Sequence, residues 1–186
     1  MESKRGSRTE DFLLAEYRNL TDSFWRNEDA GERRVNFFIT LVTAVISALV
    51  ALATRATDLG SDMVFVIVFF ALSALLAFGI VTLLRMLQRN RVTDGYKRAM
   101  AQIRTFFKEE DERLRAYEPF SKTTRRIGTG GLAEMIAVFN ALIFAALGAV
   151  LTASWSLWGA VVAGVFCFGT AIFLQMRFVA GRYAEK

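Results

Sequence analysis

The chain has no histidine, one cysteine and one proline among its 186 residues. Without histidine it lacks the commonest general base and the commonest metal-binding side chain. The single cysteine, Cys167, excludes an intrachain disulfide and a cysteine metal cluster. Hydroxyl nucleophiles therefore have no histidine partner, and no paired carboxylates have the spacing of a recognisable catalytic pocket. We expect the protein to be no enzyme and to hold no metal or other cofactor.

Ionisable side chains are also missing from the middle of four long apolar runs. Each run has roughly the 20 residues that a helix needs to cross the hydrocarbon core of a bilayer. A helix of a soluble protein rarely stays apolar on every side for this length. The sequence therefore predicts an all-α integral membrane protein. Its four transmembrane helices form two hairpins and span residues 35–54, 63–84, 132–153 and 155–176.

Lysine and arginine are distributed unevenly around these runs. Seven precede residue 35, twelve lie between residues 85 and 126, three follow residue 176, and one, Arg55, lies between the first two runs. Because basic residues are enriched in cytoplasmic segments, we expect both termini in the cytoplasm. The predicted organisation is a cytosolic tail and amphipathic helix, a transmembrane hairpin, a cytosolic helix with a glycine-rich loop, a second hairpin and a cytosolic tail. These segments cover residues 1–34, 35–84, 85–131, 132–176 and 177–186.

The cytosolic segments show helical periodicity. Four apolar side chains recur at spacings of three and four on one helix face, and we call them the aromatic stripe: Leu13, Tyr17, Leu20 and Phe24. So narrow a stripe is typical of packing against a partner helix. Residues 1–9 are expected to be disordered, and Gly31 allows a break in the helix. Because no proline occurs before Pro119, we expect the second transmembrane helix to continue into the cytosol, as far as residue 117.

The first apolar run carries hydroxyl and amide side chains within about 60° of one another on a helix. We call them the polar stripe: Asn36, Thr40, Thr43, Ser47 and Thr54. Such a stripe either lines a water-filled pore or packs against another helix, since polar side chains avoid lipid. Glu134 is the one acid inside an apolar run. It either pairs with Arg85 or Arg177, or forms part of a cation-attracting ring in an oligomer.

The third and fourth runs have small-residue faces that predict close helix contact. On the third run this face holds Glu134, Ala137, Ala141, Ala145, Gly148 and Thr152. On the fourth run it holds Gly159, Ala163, Cys167 and Thr170.

Basic residues form a line on the predicted cytosolic helix. Lys97, Arg104, Lys108 and Arg115 share one face, and Arg98, Arg125 and Arg126 are further candidates nearby. Cations beside the aromatic residues Tyr96, Phe106 and Phe107 are suited to a nucleotide or oligonucleotide. The alternative is a solvated face, or one that touches anionic lipid.

Two stretches of the N-terminal segment resemble the entry to SLATT-type membrane modules. They are Glu16-Tyr17-Arg18-Asn19-Leu20 and Glu32-Arg33-Arg34-Val35-Asn36-Phe37-Phe38. Such modules have a short cytosolic helix, a basic turn, a transmembrane hairpin and a cytosolic helix that continues the second span. The resemblance covers residues 10–117, and the second hairpin is an addition to the two-span pattern. It implies an effector of the bacterial cytoplasmic membrane in anti-phage defence, controlled by a nucleotide or nucleic-acid signal from a partner enzyme.

These observations lead to two hypotheses. In the first, several copies form a channel around the polar stripe, and an anionic ligand on the cytosolic helices shifts it between closed and open states, which disrupts the membrane potential. In the second, the protein is a non-conducting membrane scaffold whose aromatic stripe recruits a soluble partner. A small transporter is less favoured, because the apolar runs contain neither proline nor a midplane charge.

Overall fold

The computed structural model describes residues 2–55, 60–110, 131–153 and 155–184. Within these ranges the chain is helical apart from short turns. The helices are α1 (Glu2–Ala53), α2 (Ser61–Glu110), α3 (Leu132–Ala153) and α4 (Leu157–Ala184). Each contains a stretch long and apolar enough to cross a membrane. The predicted all-helical fold with four such helices is confirmed. Residues 111–130, with Arg115, Arg125 and Arg126, lie outside the described residues.

Helix boundaries follow local chemistry. α3 has the predicted bounds, while α4 begins two residues later than predicted because Ser156 caps it. The Ser156 Oγ accepts a hydrogen bond of 2.8 Å from the Gly159 backbone N–H, which satisfies one of the free amides of the first turn. α2 begins directly after Gly60, whose φ of 82° belongs to the left-handed region that favours glycine.

α1 corrects two expectations. It begins at Glu2, so the disorder predicted for residues 1–9 is wrong for residues 2–9, and the helix continues without a break through Gly31. Adding residues to an existing helix avoids the cost of nucleation, which explains how a polar N-terminal segment is helical beside an amphipathic one. The role of Gly31 is close packing rather than a break, as described below.

Contacts divide the chain into two units. The helix-pair unit comprises Met1–Gly31 and Gln88–Arg126, and the four-helix unit comprises Glu32–Leu87 and Ile127–Lys186. Within the described residues, the divisions after Gly31 and after Leu87 each fall in charged sequence beside an apolar run. The cytosolic segments that periodicity predicts therefore belong largely to one unit, and the apolar runs to the other.

The four-helix unit has a continuous apolar core around Phe38, which is fully buried. The Phe38 ring lies 6.2 Å from the Phe78 ring and 6.3 Å from the Phe139 ring, which links α1, α2 and α3. The remaining core residues are Val35, Val42, Leu72, Leu75, Leu83, Met86, Leu87, Ala133, Ile136, Ala137, Ile143, Leu147 and Val179.

α3 and α4 pack through small residues, as their sequences predict. A Cβ atom built on Gly148 would lie 2.6 Å from the Cys167 Sγ and 3.5 Å from the Ala163 carbonyl oxygen. One built on Gly164 would lie 3.4 Å from the Ala145 carbonyl oxygen. Glycine at these two positions lets the helices approach more closely than larger side chains would allow.

Candidate functional site

The polar stripe faces away from the core of the four-helix unit. Its five members are all exposed, while Val35, Phe38 and Val42 bury the other side of α1. At 100° per residue the two faces are about 140° apart. The stripe is therefore not buried against a described helix of the same chain, and its two alternatives, a pore and packing against another helix, both stay predictions. The stripe meets whatever surrounds the single chain.

Three hydroxyls of the polar stripe donate hydrogen bonds to their own helix. The Thr40 and Thr43 hydroxyls reach the carbonyl oxygens of Asn36 and Ile39, each at 2.9 Å, and the Thr54 hydroxyl reaches the Ala51 carbonyl at 2.7 Å. These bonds satisfy the hydroxyl protons without a partner helix. The Asn36 carboxamide is different, because it offers two donors and an acceptor that a preceding carbonyl cannot satisfy together.

Glu134 lies in the first turn of α3 and is half-buried. Arg85 and Arg177, its predicted partners, lie on α2 and α4 and are exposed. The predicted pairing with one of them, and the alternative of a cation-attracting ring, both stay predictions.

In the helix-pair unit, α1 and α2 run antiparallel, and four contacts share one register. The Arg104 Nη2 and Nε donate to the Tyr17 hydroxyl at 2.5 and 3.2 Å, and the Thr21 hydroxyl lies 3.6 Å from the Met100 sulfur. The Lys97 Nζ lies 5.5 Å from the centre of the Phe24 ring, and Asn27 contacts Thr93. The aromatic stripe is half-buried, and this pairing within the chain involves Tyr17 and Phe24.

One end of the pair holds a polar group, the Arg89 cluster, in which Arg89 and Thr93 are buried and Asn27 and Glu28 are half-buried. The Arg89 side chain is only 5% exposed and forms an ion pair of 2.5 Å with Glu28. Its Nε donates to the Asn27 carbonyl oxygen at 2.8 Å. The Thr93 hydroxyl accepts from the Asn27 Nδ2 at 2.8 Å and donates to the Glu28 Oε1 at 3.4 Å. Removing one partner of such an ion pair leaves an uncompensated buried charge.

Gly31 makes room for this cluster. A Cβ atom on Gly31 would overlap the Arg89 guanidinium at Cζ, Nη1 and Nε, so any larger residue would displace it. The glycine is buried and helical, and its lack of a side chain forms the pocket in which the guanidinium lies. A glycine that reads as a helix break in the sequence is a packing position in the structure.

The predicted ligand-binding cations that the structure describes occupy different places. Lys97 and Arg104 are exposed but lie over the Phe24 and Tyr17 rings, with the Arg104 Cζ 5.5 Å from the Tyr17 ring centre. Arg98 is exposed and donates to the Asp94 carbonyl oxygen at 3.3 Å, and Lys108 is half-buried. Lys97 and Arg104 are therefore cations on aromatic rings, a stabilising arrangement within the pair.

A shallow, open hollow lies on α2 beside Arg98. Its volume is about 480 Å³, and Phe106 and Glu109 are among its lining residues. A cation next to an aromatic ring suits a nucleotide base and phosphate, but the Glu109 carboxylate opposes an anion there. Elsewhere in the described ranges, no three Asp, Glu or Cys side chains cluster in the manner of a metal site.

No family model, curated protein or solved structure matches this chain.

Two features were not anticipated from the sequence. The first is the Arg89 cluster, since Arg89 belongs to a run of basic residues that indicates topology. The second is Asn140, which is fully buried in the four-helix unit with neither side-chain polar atom hydrogen-bonded to any described residue. A Cβ on Gly79 would overlap the Asn140 carboxamide. The sequence signals that could have indicated this contact are the asparagine at position 140 and the glycine at position 79, each within an apolar run.

Proposed function

We propose that the protein is an oligomeric membrane channel whose pore is lined by the polar stripe of α1. The observation that carries the proposal is the exposure of Asn36, Thr40, Thr43, Ser47 and Thr54 on a helix whose other face is buried in the core. In hydrocarbon, the Asn36 carboxamide would lose hydrogen bonds that water supplies. A water-filled path between several copies satisfies the whole stripe.

Small side chains beside the stripe support association between copies. Ala44, Ala48 and Ala51 are exposed next to Thr43 and Ser47 on α1. Alanine, serine and threonine allow transmembrane helices to approach closely and to form hydrogen bonds across the contact. In the proposed oligomer this surface brings α1 helices together, with the hydroxyl side chains directed toward the central path.

Control comes from the helix-pair unit, on the cytoplasmic side that the distribution of basic residues indicates. Lys97 and Arg104 bind the rings of Phe24 and Tyr17 in the unliganded pair. An anionic nucleotide or oligonucleotide that binds these cations competes with both aromatic contacts and so favours a different arrangement of the pair. Arg98 and Lys108 supply further positive charge on α2.

The biological setting follows from the resemblance to SLATT-type modules. The protein acts in the bacterial cytoplasmic membrane, with both termini inside, and a partner enzyme makes its nucleotide signal. Opening the channel then depolarises the membrane and arrests the infected cell. The scaffold hypothesis needs a free aromatic stripe. The pairing of Tyr17 and Phe24 with α2 gives that hypothesis less support.

The decisive test is ion flux through purified protein in liposomes, measured with and without added nucleotides and oligonucleotides. Thr43→Leu combined with Ser47→Leu should abolish the flux, because two leucines replace hydroxyls with bulky apolar groups along the path. Val162→Leu combined with Val165→Leu is the matched control, since both valines are exposed on α4, at 67% and 69%. The control should conduct as the wild type does.

Flux that survives the leucine pair on α1 would contradict a pore along the polar stripe. Liposomes that stay silent for the wild type under every ligand condition would contradict a channel of any kind. In that case, pull-down of partners with the N-terminal segment as bait would test the scaffold hypothesis.

A further inference from the structure

We propose that the Arg89 cluster is a latch that holds the helix-pair unit closed and keeps the resting channel shut. The inference rests on the proposed function, because it assigns the regulation of that channel. Four side-chain groups on two helices meet in the cluster, and Arg89 and Thr93 are buried. Breaking the ion pair therefore either exposes the Arg89 charge to water or leaves it buried without a partner. The helix pair is accordingly either closed with the cluster intact or open with the cluster solvated.

The rest of the pair depends on weaker contacts. Tyr17, Phe24, Lys97 and Arg104 form cation–aromatic contacts at or near the surface, which water and salt weaken. Among the contacts described for the pair, the cluster alone combines an ion pair, a backbone acceptor and a hydroxyl bridge in a buried place. Its loss should therefore change the open fraction of the pair more than the loss of any one surface contact.

The cluster also lies on the helix that carries the polar stripe. Glu28 and Asn36 are eight residues apart on α1. An anionic ligand that takes Lys97 and Arg104 from their rings removes those two surface contacts and leaves the Arg89 cluster in place as a barrier to opening. The latch thus sets how much binding energy a ligand must supply.

Two variants break the latch by different chemistry. Glu28→Gln removes the negative charge but keeps a side chain that can accept from Thr93. Gly31→Ala leaves every charge in place and puts a methyl group where the Arg89 guanidinium lies. Gly95→Ala is the matched control, because a Cβ there meets no atom within 4 Å of the described residues. All three changes leave the aromatic stripe intact.

The first measurement is thiol labelling in a Cys167→Ala background with Ile103→Cys as a buried reporter. Ile103 is 9% exposed in the helix-pair unit, so its replacement reacts with a maleimide at a rate that follows the open fraction of the pair. We expect Glu28→Gln and Gly31→Ala each to raise the labelling rate about tenfold, which corresponds to ~1.4 kcal/mol. Gly95→Ala should not raise the rate, because its methyl group meets no described atom and alanine favours the helix. Unchanged labelling in both latch variants would overturn the proposal.

The second measurement is liposome flux of the same variants without added ligand. Both latch variants should conduct more than the wild type. The latch variants could label faster while their flux equals that of the wild type, and the Thr43 and Ser47 leucines could still abolish the flux. This result would overturn the latch as a regulator and would leave the proposed channel supported. Absence of flux in every variant would reject the proposed channel, and labelling alone would then decide whether the cluster holds the pair closed.

Discussion

Gly79→Ala tests the packing of the four-helix unit at one point where α2 and α3 meet. The added methyl would overlap the Asn140 Oδ1, lie 2.9 Å from the Asn140 Cγ and lie 3.1 Å from the Phe38 Cζ. Asn140 and Phe38 are both 0% exposed, so neither side chain can relieve the overlap by turning out into solvent. Overpacking of this kind costs about 1–3 kcal/mol. Alanine offsets up to ~1 kcal/mol through its higher helix propensity, so we expect a net loss of about 1–2 kcal/mol.

The same change should be mild once the carboxamide is gone. Asn140→Ala removes the atoms that the new methyl would overlap, and the cavity it creates is partly filled by Gly79→Ala. It also removes a buried amide without a hydrogen-bond partner among the described residues, a group that is costly to keep. We therefore expect the double variant to be more stable than the two single effects predict, with a coupling energy of ~1–2 kcal/mol.

The assay is unfolding of the purified protein in mixed micelles titrated with a denaturing detergent, followed by circular dichroism. Gly169→Ala on α4 is the control, because a Cβ there meets no described atom within 4 Å. It should change stability by no more than the helix-propensity difference of ~1 kcal/mol. If Gly79→Ala has the same effect in the wild type and in the Asn140→Ala background, within ~0.5 kcal/mol, the reasoning from this contact is wrong.

Two further changes test the helix contacts described above. Gly148→Val should lower stability by about 1–3 kcal/mol in the same detergent titration, because its Cβ would lie 2.6 Å from the Cys167 Sγ, whereas Gly169→Val, in open space, should not. Equal losses would contradict close packing of α3 on α4. Tyr17→Phe should cost only ~0.5–1 kcal/mol, since it loses the bonds from Arg104 but keeps the ring, and Tyr17→Ala should cost more in thermal unfolding. A phenylalanine variant as unstable as the alanine variant would show that the hydroxyl, not the ring, supports the pair.

The four helices could be predicted because the hydropathy of a segment depends on its own residues and not on distant ones. A run of about 20 apolar residues predicts a helix long enough to cross a membrane, whatever lies beside it in the fold. The bounds of α3 match the sequence prediction because its apolar run ends in Gly131 on one side and a short turn on the other. The small-residue faces of α3 and α4 were also predictable, since a short turn makes consecutive helices antiparallel neighbours.

Features that depend on a distant residue were not predictable. Gly31 reads as a break until Arg89, 58 positions later, is placed against it. Periodicity puts the members of the polar stripe on one side of α1, yet it cannot say what that side meets. The burial of Arg89 could not be predicted for the same reason. In the sequence, a basic residue beside an apolar run indicates topology. Only the structure shows that Arg89 contacts Glu28 and Asn27.

The small-residue faces of α3 and α1 differ in what they contact, and the difference bears on assembly. The face of α3 is used within the chain, where Gly148 meets α4. The face of α1 that carries Thr43 and Ser47 is open, and rotating it inward would expose Phe38, the centre of the core. Burial of the apolar side of α1 stabilises the chain. Since this side points to the core, the opposite, polar side points away from the described helices. The described helices of the chain leave this face open, and in the proposed oligomer a second copy supplies the same small, hydrogen-bonding side chains.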